Sequence, residues 1–333
     1  MNSLPENDPD NLRDGPGDRP EESPASPEAY SLELPQPEYP FVESAPPQAD
    51  PPLFASWSVP QVRPPARIPH FGHLCLLGLF AVIGLLATIV LFRVALYLHL
   101  FGVSTIQGAT IEIHYTLGSE AAFYLFTFAI SLLIFPLFWH KSFFAGIQWN
   151  AATAFHLRTR LLSAAFVCFL LAVISGTLMK GPTNTPIERI FHTPGAAWLL
   201  FAFGITFAPF FEEMFFRGFL LPSLCTAWDW FAEKTTGAPT LPLAENGHPQ
   251  WSIPAMVGAS IAASIPFAWL HAAQTGHAFG PLLLLFCVSL VLCAVRLNTR
   301  SLAASVTVHA CYNFLLFSIM LAGTDGFRHL DKM

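Results

Sequence analysis

The chain has 333 residues, of which 53% are hydrophobic and only 11% charged, with a formal net charge of −6. Soluble domains carry about 25% charged residues, so a water-soluble globular fold is excluded, and nothing basic enough for a nucleic-acid partner is present. Several apolar runs near 20 residues long point instead to an all-α, polytopic membrane bundle with the lipid bilayer as its surroundings.

Residues 1–66 hold 12 of the 22 acidic residues against Arg13, Arg19 and Arg63, and they are rich in Pro and Ser. Repeated proline and missing apolar periodicity predict a disordered acidic tail. It lacks the basic and apolar regions of a signal peptide. A transmembrane domain is expected over 67–333, with about seven spans (six to eight).

The first run, 71–92, ends at Arg93. The second covers about 121–139 and closes on Trp139, His140 and Lys141. The third, about 161–179, lies between Arg160 and Lys180. The fourth begins near Gly195 and stays apolar to about Leu224, with a bend expected at Pro209 because proline removes a backbone donor. An irregular connection over 232–250 follows, rich in Gly and Pro. The fifth, sixth and seventh runs are about 252–272, 279–295 and 301–322. Six cysteines, Cys75, Cys168, Cys225, Cys287, Cys293 and Cys311, show no metal-binding spacing and read as free, buried thiols.

Lys and Arg near the span ends set orientation. Arg63, Arg67, Lys141, Arg158, Arg160, Lys234, Arg296 and Arg300 fall on one face; Lys180, Arg189, Arg328 and Lys332 fall on the other, with Arg93 at its border. The bias predicts a cytoplasmic N-terminal tail in a multi-pass membrane protein.

Glu212, Glu213 and Arg217 interrupt the fourth run. An ionisable residue at a helix centre costs about 2.5 to 3.5 kcal/mol on insertion, so intramembrane carboxylates point to function. Two further polar clusters follow: Phe267 with His271, and His309 with Asn313. Glu213 to Arg217, Phe267 to His271 and His309 to Asn313 are each four residues apart, a spacing that shares one helix face. The first chemistry this allows is activation of water. One carboxylate takes a proton from a bound water, and the other holds the arginine. One histidine positions the water or protonates a leaving amine, while the second, with the Asn amide, stabilises an oxyanion. The same Glu and His types could hold one divalent metal such as zinc through Glu212, His271 and His309, although the HExxH spacing is absent. Nine of the ten remaining histidines (His73, His99, His114, His140, His156, His192, His248, His277 and His329) are expected at surfaces or interfaces.

The ordered trio EExxxR at 212–217, FxxxH at 267–271 and HxxxN at 309–313, with PhePheArgGlyPheLeu at 215–220 and AsnThrArgSerLeu at 298–302, resembles the CAAX-processing and bacteriocin-processing (CPBP, or Abi) intramembrane proteases, CAAX prenyl protease 2 type. The resemblance covers about 195–320; the N-terminal tail and the first two spans lie outside it and are not informative. It implies a helical bundle around a cavity. In it Glu212 activates water, His271 positions that water, Glu213 and Arg217 support them, and His309 and Asn313 stabilise the oxyanion. Members are often labelled metalloproteases, although a metal-free glutamate mechanism competes with that label. The expected partner is a peptide or protein substrate within the membrane, CAAX-like and in some cases prenylated. The rival readings are a non-catalytic scaffold or immunity-type binding protein, and a proton-coupled carrier; no internal hydropathy repeat supports the carrier.

Overall fold

The computed structural model describes residues 67–179, 195–239, 241–244 and 247–327. The expected disordered tail, the flanking cations Arg63, Lys180, Arg189, Arg328 and Lys332, and His192 and His329 lie outside the described residues. Every described residue falls in one compact unit, 63–333. No strand occurs among the described residues.

Seven helices are long and apolar enough to cross a membrane: α1 Phe71–Tyr97, α2 Ile113–Trp139, α3 Arg158–Leu178, α4 Ala196–Thr236, α5 Ile253–Leu270, α6 Phe279–Thr299 and α7 Leu302–Gly323. Seven was the expected number; several boundaries differ. Helix α1 runs past Arg93, which is exposed one turn before its end, where a long cationic side chain reaches a polar interface. Helix α2 begins at Ile113, eight residues before the apolar run, and so takes Glu120 inside the helix. Helix α4 has 41 residues. At 1.5 Å per residue it is about 60 Å long, twice the roughly 30 Å hydrocarbon core, and its polar last turns extend beyond the span.

Helix caps follow from local sequence. Asn150, Ser252 and Ser301 each accept from a backbone N–H three residues on, opening the short helix Ala151–His156, α5 and α7. Ser301 also donates to the Asn150 carbonyl at 2.8 Å, tying two of these starts together. The backbone N–H and hydroxyl of Ser252 both donate to the Asp229 carboxylate on α4. Gly237, in the left-handed region at φ 68°, ends α4, so the irregular connection is shorter than the expected 232–250.

Helices α1 and α2 pack closely because Gly84 has no side chain. A Cβ there would lie 2.6 Å from Thr127 Oγ1 and 3.1 Å from the Thr127 nitrogen. Phe135, Trp139, Phe143 and Phe219 form an aromatic core that joins α2 to the middle of α4. Phe135 stacks on Trp139 at 4.6 Å and meets Phe219 at 4.9 Å. His73 packs edge-on against Phe135 and Trp139 and is buried, contrary to its surface expectation. Helix α3 buries Leu161, Ala165 and Cys168 against Leu292, Ala304 and Val308 of α6 and α7. Leu86, Val90, Leu133 and Leu178 lie on the outside, as lipid-facing residues should. All six cysteines are free; Cys168, Cys225 and Cys293 are buried and Cys75 is exposed.

Helix α4 does not break at Pro209. It widens twice, in π-helical turns at Phe203–Phe207 and Met214–Leu220 that bracket the segment Ala208–Glu213. In π register a carbonyl bonds the N–H five residues on. Ala208 donates in this way to Phe203, and Leu221 to Phe216. The next carbonyls, Gly204 and Arg217, would need the N–H of residues 209 and 222. Both are prolines and have none.

Candidate active site

The two freed carbonyls are capped by side chains from other helices. Asn313 of α7 donates its amide nitrogen to the Gly204 carbonyl at 2.8 Å. Arg296 of α6 donates through Nε to the Arg217 carbonyl at 3.1 Å, and through a terminal nitrogen to the Ile147 carbonyl at 3.4 Å. Arg296 was expected as a flanking charge beyond the sixth span. It is buried inside the bundle, because α6 continues to Thr299 and main-chain carbonyls receive its donors.

Between the capped turns lie the two glutamates. Glu213 and Arg217 are fully buried and joined at 2.8 Å. A terminal nitrogen of Arg217 also donates to the Ser289 hydroxyl at 2.7 Å and carbonyl at 3.1 Å. The guanidinium lies 4.5 Å over the Phe267 ring. Phe267 therefore serves twice, since its carbonyl also receives His271 Nδ1 at 2.8 Å. His309 Nδ1 lies 3.0 Å from Glu213 Oε1, the oxygen that also receives Arg217.

These bonds fix both imidazoles. A carbonyl can only accept, so His271 Nδ1 carries its proton and donates. The Glu213 carboxylate calls for the same of His309. Both Nε2 atoms then face Glu212, each 3.8 Å from Oε2, which is buried and has no hydrogen-bond partner among the described residues. Three acceptor atoms thus surround one point; a water there can donate to two of them, the third being met when one imidazole also carries a proton at Nε2, and Glu212 is placed to take a proton from that water.

This point borders a cavity of about 340 Å³, whose polar lining includes Glu212, His271, Gln274, His309, Asn313 and Glu120. Glu212 also borders a second, almost wholly apolar cavity of about 220 Å³ between α1, α2 and α4. The six residues expected at the site, Glu212, Glu213, Arg217, His271, His309 and Asn313, are thus brought together. Five of them are linked into one network, and Asn313 sits beside it with one amide hydrogen committed to Gly204.

A metal was the alternative. Glu212, His271 and His309 offer donor atoms of the right kind. Among the described residues, however, no three His, Cys, Asp or Glu side chains are disposed to hold an ion. The 3.8 Å separations exceed the edge of about 3.3 Å that tetrahedral ligands at 2.0–2.1 Å would have.

Residues 194–315 match the model of the Rce1-like family, type II CAAX prenyl endopeptidase. Over this segment, the chain is similar to the CAAX-processing proteases. No curated protein matches it, and no solved structure does. The family segment takes in α4 to α6 and most of α7, and so holds all six site residues. It omits α1 to α3, yet α2 supplies Glu120 to the cavity wall. The second span therefore contributes to the wall of the site, although it lies outside the family segment. Arg296 and Ser289 were also missed. A long, buried cation near a span end looks in sequence like an interfacial one, and a serine in an apolar run carries no signal by itself.

Proposed function

We propose that the chain is a CAAX-type intramembrane endopeptidase in which Glu212 activates water. The family supports CAAX endopeptidase activity in general terms. The reading of mechanism rests on one observation: both imidazole Nε2 atoms converge on Glu212 Oε2 while their Nδ1 atoms are committed elsewhere. Glu212 takes a proton from a water that His271 and His309 hold by accepting or donating at Nε2. The water oxygen attacks the peptide carbonyl. The second amide hydrogen of Asn313, together with His309 when Nε2 is protonated, receives the oxyanion. Collapse breaks the C–N bond, and Glu212 passes its proton to the leaving nitrogen. The products are a carboxylate and an amine. Glu213 and Arg217 act through His309, whose ring and tautomer they hold.

The substrate is a membrane-associated, CAAX-like protein, including lipid-modified or prenylated ones, because the reacting groups lie among apolar helices. In purified protein reconstituted in liposomes, Glu212→Gln should lower cleavage of a CAAX reporter peptide by about 10²-fold or more, the scale of a general base. Wild-type activity should survive a chelator. Full activity in Glu212→Gln would refute the mechanism, whereas loss on chelation with recovery on added zinc would move it to the metal form.

A further inference from the structure

Glu120 lies outside the family segment and has no part in the water chemistry, yet it faces the same cavity as Glu212, His271 and His309. It sits about two turns into α2 and is held there by the Tyr124 hydroxyl, which donates to Oε1 at 3.0 Å. Tyr124 in turn stacks on Phe211 at 4.9 Å, next to Glu212 in sequence. The carboxylate is thus positioned rather than left to swing into solvent.

Among the described residues the charge balance of the cavity is one-sided: Glu213 is neutralised by Arg217, but no described lysine or arginine lines the cavity. Among the described residues, Glu120 and Glu212 are thus two carboxylates with no lysine or arginine beside them, inside a wall that is otherwise mostly apolar. Low-dielectric walls concentrate such a field. A cationic side chain would let both carboxylates stay ionised, while an anionic one would meet like charge.

We propose that Glu120 is a specificity-determining residue that receives a lysine or arginine side chain of the substrate lying close to the scissile bond. The inference builds on the endopeptidase reading, naming a feature of its substrate. The partner is a peptide segment with a basic residue near the cleavage point. Glu120 makes the ion pair, with Tyr124 holding its other oxygen.

The test uses the full chain in liposomes and paired reporter peptides that differ only in one lysine, glutamine or glutamate near the cleavage site. Wild type should favour the lysine peptide over the glutamine peptide by about tenfold or more in kcat/KM, the scale of one desolvated charge pair. Glu120→Gln should bring that ratio to about one, Glu120→Asp should restore part of it, and Glu120→Lys should shift preference to the glutamate peptide. A folding defect alone would lower all three peptides together and leave the ratios in place. Binding of the same peptides to Glu212→Gln protein separates the two claims. Lysine preference in binding that vanishes on adding Glu120→Gln supports Glu120 even if wild type cleaves nothing. Cleavage with no lysine preference, or a preference that persists in Glu120→Gln, overturns the assignment and leaves the endopeptidase reading standing.

Discussion

Asn313 caps the Gly204 carbonyl, 2.8 Å away, and it does so because Pro209 cannot. The same pairing recurs thirteen residues further along α4, where Arg296 caps the Arg217 carbonyl beside Pro222. Each π turn frees one carbonyl, each proline keeps it free, and each cap comes from a different helix. Glu212 and Glu213 sit between the two capped turns. The widened turns thus fix the placement of the carboxylates, while the caps fasten α4 to α6 and α7.

The first pairing separates two roles for Asn313. In Asn313→Ala the part-buried Gly204 carbonyl loses its donor, at a cost of about 1 kcal/mol. The melting temperature in detergent should fall, and so should peptide hydrolysis. Adding Pro209→Ala restores a backbone N–H in π register with Gly204. The double variant should regain the melting temperature. If the second amide hydrogen of Asn313 also serves the oxyanion, kcat will stay low in that double variant while stability returns. Recovery of both would make Asn313 a structural cap alone.

Arg296 offers the matching case. Arg296→Met orphans the carbonyls of Arg217 and Ile147, and each lost partner costs about 1–3 kcal/mol. Pro222→Ala supplies a donor to the first carbonyl but leaves the second unpaired. The double variant should therefore melt between the single Arg296→Met variant and wild type, as measured by thermal unfolding in detergent. Additive effects of the two substitutions would show that Arg296 and Pro222 do not meet at the Arg217 carbonyl.

How far the sequence could be read follows from the kind of signal each residue gives. Glu212, Glu213, Arg217, His271 and His309 are polar groups in apolar runs, and that expense alone marks them. Their grouping follows from the i to i+4 spacing, which survives in α4 even though its turns are π-helical. The widening itself was hidden: Pro209 reads as a kink, and only the distant Asn313 reveals that the helix stays whole. Glu120 and Arg296 were misplaced for one shared reason. Hydropathy ends a span at the first charged residue, but α2 and α6 continue through theirs because Tyr124 and main-chain carbonyls satisfy the charges inside. A polar residue near a span end is buried or interfacial according to partners that sequence does not display.

The cavity has a definite side. Its wall is built from Glu120 early in α2, Gly204 early in α4, Gln274 in the turn after α5 and Met320 near the end of α7. With seven helices crossing in turn, all four lie toward the face opposite the start of α1. Arg67, Lys141, Arg158, Arg160, Lys234 and Arg300 flank the start-of-α1 face, and by the positive-inside bias that face is the one expected in the cytoplasm. The cavity is therefore predicted to open away from the cytoplasm. In a chain with the exposed Cys75 replaced by Ser, Lys141→Cys should react with an impermeant maleimide only when the cytoplasmic face is accessible. Gln274→Cys should react only from the other side. The reversed pattern would keep the fold and invert the membrane orientation, giving the site cytoplasmic access. Labelling of both positions from one side would overturn the seven-crossing topology itself.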